Sequence, residues 1–101
     1  MFSQDELRII SDIKSYAAQH PSKWKDWYFG IAADPKQRLF VDHSVTEKGD
    51  VWIYRPCINS ESARKIEDYF VNNLETKGDV GGGDNDTKYV YAYLITSHSR
   101  E

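Results

Sequence analysis

Lys88-Tyr89-Val90-Tyr91-Ala92-Tyr93-Leu94-Ile95-Thr96 is the stretch whose reading decides the fold. It is nearly continuous in aromatic and apolar residues, so it reads as a strand with both faces covered, at the centre of a sheet. Two earlier stretches supply its neighbours. Trp24 to Ala33 contains Trp27-Tyr28-Phe29 and continues through Gly30-Ile31-Ala32; a glycine inside a strand marks a bulge or the close approach of another group. Val51 to Ile58 carries Trp52, Ile53 and Tyr54, and Pro56 makes it an edge strand or one that frays.

Helical patterns alternate with these strands. Ser3-Gln4-Asp5-Glu6 is a capping box, and Leu7, Ile9, Ile10, Ile13, Tyr16 and Ala17 recur behind it at helical spacing until Pro21 ends the run. Asp34-Pro35 opens a short helix reaching Val41 or His43, with Asp34 as cap and Pro35 in the first turn. Asn59 or Ser60 caps another long helix, whose buried stripe is Ala63, Ile66, Phe70 and Leu74. Residues 44–50 read as a polar turn, and the glycines and aspartates of Thr76–Thr87 read as a loop. The expected architecture is one α/β (α+β) domain over residues 1–101, a three-stranded, largely antiparallel sheet covered by three helices. The N-terminal helix takes about residues 3–20, the core about 24–96, and a short mobile tail 97–101.

Composition narrows the function classes. Hydrophobic residues at 40% and charged residues at 29% fit a globular protein rather than a disordered or membrane-spanning one. The single cysteine, Cys57, rules out an internal disulfide framework and a multi-thiolate zinc site. With an acidic start and no signal-peptide core, the expected location is cytoplasmic. The net charge of −3 disfavours a large nucleic-acid footprint. The charge is unevenly spread: residues 1–59 balance eight acids with eight bases, so the whole deficit lies in residues 60–101.

The residues able to carry chemistry run from Tyr28 to Glu67. Tyr28-Phe29-Gly30 lies in a strand, Arg38 follows Gly30 by eight residues on the short helix, and His43 lies five residues beyond Arg38. Ala63-x-x-Ile66-Glu67 then falls on the long helix. Each has a plainer role available: a packed strand aromatic, a surface arginine, a solvated helix-end histidine, a helix-rim charge. Trp24, Trp27 and Trp52 read as core or partner-facing aromatics. The glycine-rich loop has no Gly-Lys-Ser/Thr for a P-loop and lacks the spacing of a calcium-binding hand, so it reads as a connector.

Taken together, these residues resemble the GIY-YIG nuclease family over about residues 26–75. The match rests on the Tyr-x-Gly tripeptide, the arginine at this interval, the following imidazole and the glutamate in an Ala-x-x-x-Glu context. The resemblance implies a GIY-YIG-like core and a metal-dependent phosphodiesterase acting on nucleic acid. Glu67 would hold one divalent ion, with Mg2+ expected; Arg38 would face the phosphate; Tyr28 or His43 would position or deprotonate a water. Three departures accompany it. The family's first tripeptide is missing before Tyr28, Asp42 stands where the imidazole usually falls, and the loop after the glutamate helix lacks the usual asparagine. A permuted core would restore the first strand if Tyr89–Tyr93 ran antiparallel to Trp27–Ala32, with Tyr89, Tyr91 or Tyr93 facing Tyr28; Tyr91 joins the candidates on that basis. The departures and the charge favour a degenerate site over an active one. The alternative is a non-catalytic module that docks a protein or small-molecule ligand through exposed aromatics, and no membrane partner is expected.

Overall fold

A computed structural model describes residues 1–78, 80 and 83–101. Strands β1 (Trp27–Ala32), β2 (Trp52–Pro56) and β3 (Tyr89–Leu94) form one antiparallel sheet in the order β1-β3-β2. Helices α1 (Gln4–Ala18) and α2 (Ser60–Asp68) accompany them, with a third, π-type helix at Gln37–Asp42. The last strand in sequence is therefore the central one, and its pairing with β1 puts Tyr93 opposite Tyr28 and Tyr91 opposite Gly30. On its other side Tyr54 lies opposite Tyr91 and Trp52 opposite Tyr93. Asp79, Gly81 and Gly82 of the glycine-rich loop lie outside the described residues.

Alternation along the strands divides the sheet into two unlike faces. Trp27, Phe29, Ile53, Val90 and Ala92 point into the main core with Ile9, Ile10 and Ile13 of α1 and Ala63 and Ile66 of α2. Phe29 and Phe70 stack there with ring centres 4.4 Å apart. Tyr28, Tyr91 and Tyr93 occupy the opposite face with Ala32, under Leu39 from the π-type helix and Val45. One face is thus aliphatic and aromatic, the other dominated by phenols.

The helix starts follow their caps. Ser3 and Glu6 make the capping box of α1, the Ser3 hydroxyl accepting from the Glu6 amide at 3.1 Å and Glu6 accepting from the Ser3 amide at 2.8 Å. The buried stripe differs from the expected one by a residue. Leu7 is 51% exposed, while Glu6 is buried and takes that place against α2, accepting hydrogen bonds from the Ser62 hydroxyl at 2.6 Å and Lys65 at 3.0 Å. A buried carboxylate is tolerable only with such donors. They, led by Ser62, outweigh the burial penalty and bring its pKa down to about 2. Asn59 caps α2 by accepting from the Ser62 amide at 2.9 Å, and the chain continues from α2 through a π-type turn, Tyr69–Asn73. Trp24–Asp26, expected as strand, is a short 3-10 turn, so β1 begins at Trp27. Lys77, in the loop, forms a parallel bridge to Tyr28 on the outer edge of β1.

The tail, expected to be mobile, is hydrogen-bonded back onto the domain. The Arg100 amide donates to the His43 carbonyl at 2.7 Å, and the His98 ring lies 2.6 Å from Asp50. Among the described residues no helix is long and apolar enough to cross a membrane.

Candidate functional site

The phenol-bearing face opens at the β1 side into a cleft of about 440 Å³. Tyr28, Gly30, Arg38, Glu67 and Tyr91 line it, together with Asp34, Gln37 and Thr87. Tyr28 and Gly30 come from β1, Arg38 from the π-type helix, Glu67 from α2 and Tyr91 from β3. Side chains that are up to 63 residues apart in the sequence thus share one hollow.

Gly30 makes this possible through the space its missing side chain leaves. A Cβ there would sit 2.4 Å from the Tyr91 hydroxyl oxygen and 2.5 Å from the ring carbon that bears it. The glycine in the strand therefore marks a close approach, not a bulge, and the approaching group is the Tyr91 ring from the neighbouring strand. That ring lies across Gly30, and its hydroxyl reaches the cleft.

His43 stands behind the cleft rather than in solvent, with 4% of its surface exposed. The reason is the π-type helix. The His43 amide donates to the Arg38 carbonyl at 2.8 Å, an i→i+5 bond. In an α-helix residues four apart share a face, whereas i→i+5 bonding brings residues five apart onto it. The extra residue in the Arg38–His43 interval is absorbed in the wider turn. Asp42, which an ordinary helix would have presented there, instead pairs with Arg38 on the outside at 3.2 Å.

The imidazole completes a polar cluster. His43 Nε2 lies 2.8 Å from the Tyr91 hydroxyl, and Nδ1 lies 2.5 Å from the Arg100 carbonyl oxygen and 3.1 Å from the Tyr93 hydroxyl. The Tyr93 hydroxyl also donates to the Arg100 carbonyl at 3.0 Å. The Tyr28 ring packs on His43 at 4.5 Å and stacks with Tyr93 at 5.4 Å.

Burial governs protonation here. It pushes the Tyr91 phenol up to about 12, against the pull of the Arg38 guanidinium, which hydrogen-bonds the Tyr91 oxygen; Tyr28 and Glu67 push the same way as burial. Tyr93 is raised too, again mainly by burial. Burial pulls the His43 pKa down, with Arg38 adding to it. Burial also opposes the charge on Arg38, but Tyr91, Asp42 and Tyr28 outweigh it and hold the guanidinium above its ordinary pKa. At neutral pH Arg38 is therefore cationic, His43 neutral, and the Tyr91 and Tyr93 phenols protonated.

Glu67 walls the cleft at 1% exposure. With Asp34 also on the lining, it is the carboxylate a metal ion would meet. Among the described residues no group of three or more His, Cys, Asp or Glu could hold a metal. One buried carboxylate fits a hard ion that keeps most of its water, as magnesium does, and does not fit an ion needing an all-protein cage.

All five sequence candidates gather in this region: Tyr28, Arg38, Glu67 and Tyr91 on the cleft, His43 directly behind Tyr91. Sequence reasoning missed Gln37 and Thr87, which carry no motif, and the Arg100 carbonyl, since a backbone acceptor leaves no mark in a sequence. No protein-family model, curated protein or solved structure matches this chain.

Proposed function

We propose that the cleft binds a phosphodiester of a nucleic acid and hydrolyses it with one divalent cation, in a permuted core of GIY-YIG type. The single observation that carries the proposal is the antiparallel register of β1 and β3. It sets Tyr91 over Gly30, beside the hollow that Arg38 and Glu67 also line. In this reading the C-terminal strand supplies the tyrosine that the residues ahead of Tyr28 lack, and the i→i+5 turn accounts for the offset of His43; these two points favour an active site over the degenerate one expected from the sequence.

Each side chain has a role suited to its surroundings. Arg38 is charged and nearly half exposed, so its planar fork meets the phosphoryl oxygens where charge builds in the transition state. Its surface pairing with Asp42 is weak enough to exchange for a phosphate. The Tyr91 hydroxyl, already bonded to Arg38 and His43, orients the attacking water and takes its proton as its own passes on to the imidazole. Tyr28 borders the water site and packs the imidazole. Glu67 would hold the ion, which when bound supplies Lewis acidity and water activation. The small size of the cleft and the acidic overall charge favour a few phosphate contacts over a long grip on duplex.

The test is nicking of supercoiled plasmid in magnesium. Cleavage should fall at least about 100-fold in Glu67→Gln and in Arg38→Ala, with the circular dichroism of each variant unchanged. Absence of cleavage of plasmid and of single strands in both magnesium and manganese, or cleavage indifferent to Glu67→Gln, overturns the reading.

A further inference from the structure

We propose that the segment from Thr96 to Glu101 is a strap that holds His43 as its Nδ1–H tautomer, leaving Nε2 to accept the Tyr91 hydroxyl proton. The catalytic use of this arrangement rests on the phosphodiesterase reading above, whereas the tautomer itself does not.

A backbone carbonyl can only accept a hydrogen bond. The Arg100 oxygen, 2.5 Å from Nδ1, therefore requires a proton on that nitrogen. A neutral imidazole carries one N–H, so Nε2 is bare and the Tyr91 hydroxyl at 2.8 Å must be the donor. Its oxygen is then free to accept from Arg38 and, on the cleft side, from a water.

Tyr93 shows why the strap is needed. Its hydroxyl lies 3.1 Å from Nδ1 and 3.0 Å from the Arg100 carbonyl, so it has two possible acceptors. With the carbonyl in place, Tyr93 donates to it and leaves Nδ1 protonated. With the carbonyl removed, Nδ1 becomes the remaining acceptor. Tyr93 then donates to Nδ1, the ring proton moves to Nε2, and the His43–Tyr91 bond reverses. The remaining charged groups around the ring, Arg38, Asp42 and Glu101, act on its charge through space.

The strap is built to stay closed. Thr96 and Ser99 tie a turn, the Thr96 amide donating to the Ser99 hydroxyl at 2.9 Å and the Ser99 amide to the Thr96 hydroxyl at 3.2 Å. The Arg100 amide then donates to the His43 carbonyl at 2.7 Å, so one residue grips both the backbone and the ring of His43. In the reaction, the Tyr91 oxygen gains a proton from water as its own proton moves to Nε2. The resulting imidazolium keeps the Arg100 carbonyl on Nδ1–H; the hydroxide left from the water bonds to phosphorus as the P–O bond to the departing ribose oxygen breaks, and that alkoxide leaves by taking a proton from solvent water. Arg100 acts through its carbonyl as a positioning residue.

Full-length protein labelled with 15N-histidine gives the tautomer directly from long-range proton–nitrogen couplings. His43 is expected as Nδ1–H, and an Nε2–H ring in the unaltered protein overturns the proposal. Combining Ser99→Ala with Arg100→Pro unties the turn and removes the amide that anchors the strap. This variant should show Nε2–H or a mixture and at least about a tenfold lower kcat for nicking at unchanged KM; retention of pure Nδ1–H overturns the proposal. Should that variant not fold, Tyr93→Phe decides. It removes only the competing donor and should keep Nδ1–H, and a switch to Nε2–H would mean that Tyr93, not the strap, sets the ring. An Nδ1–H ring in a protein that cleaves nothing upholds the strap and defeats the phosphodiesterase reading.

Discussion

Replacing Gly30 with alanine tests the place where β1 and the Tyr91 ring compete for one volume. In a strand with open space beside it, Gly→Ala is stabilising by roughly 0.5–1 kcal/mol, because the unfolded chain loses freedom. Here the new methyl would meet the Tyr91 hydroxyl at 2.4 Å, about 1 Å inside ordinary contact. The ring is fully buried and its hydroxyl is tied to His43 at 2.8 Å, so it can move aside only by giving up that bond and its packing. Overpacking of this kind costs about 1–3 kcal/mol. We expect a net loss of about 2 kcal/mol by urea denaturation, which for a domain of this size lowers Tm by about 8–16 °C. Shortening the opposing side chain should return part of it: Gly30→Ala with Tyr91→Leu should be less destabilised than the sum of the two single changes by at least about 1 kcal/mol. A neutral or stabilising Gly30→Ala, or strict additivity in that cycle, would refute the placement of Tyr91 over β1 and with it the cleft.

Further outcomes follow from other contacts. The Glu6 carboxyl titrates near 2 in the folded chain and higher when unfolded, so its contribution is complete at neutral pH and is lost as pH falls from about 4.5 towards 2. Urea melts across that window should show the decline, and Ser62→Ala should cost about 1.5–3 kcal/mol at pH 7 and flatten it. Leu7→Lys should change stability by no more than about 0.5 kcal/mol, whereas Ile9→Ala should cost about 2–5 kcal/mol; equal losses would return Leu7 to the core. Asn59→Ala should remove about 1 kcal/mol by loss of the α2 cap, read by thermal melts. Asp42→Ala should leave stability within about 0.5 kcal/mol and, by releasing Arg38, should not slow plasmid nicking; a large loss of either would make the Arg38–Asp42 pair structural.

The sheet was legible because its information is local. The run Tyr89–Leu94 reads as a covered central strand, and Pro56, with no amide to donate, reads as an edge; both positions are those observed. The capping residues Ser3 and Asp34 were equally readable, and the structure chooses Asn59 over Ser60 for α2; each accepts from a first-turn amide. Leu7 misled because helical spacing does not say which side of a stripe ends in solvent, and a buried Glu6 is intelligible only once Ser62 and Lys65 are beside it. The candidate site was legible in its residue types but not in its depth. The one-residue offset of His43 looks like a mismatch until the helix is seen to close i→i+5, with Leu39 and Val45 packed against the phenols. The strap was invisible, since carbonyl and amide groups are the same in every residue.

The order of the strands has a consequence for how the chain matures. β1 and β2 are not neighbours in the sheet; the strand that each pairs with is β3, which is made after them. During synthesis the first two strands leave the ribosome with no partner strand, β1 gaining only its bridge to Lys77, and no strand–strand rung can close before residue 89 has emerged. Pairing then joins residues up to 67 positions apart, Trp27 with Leu94, which slows the search for the native arrangement. A nascent chain stalled short of that point would present Trp27, Phe29 and Ile53 to whatever chaperones meet it, and release of β3 would bury them.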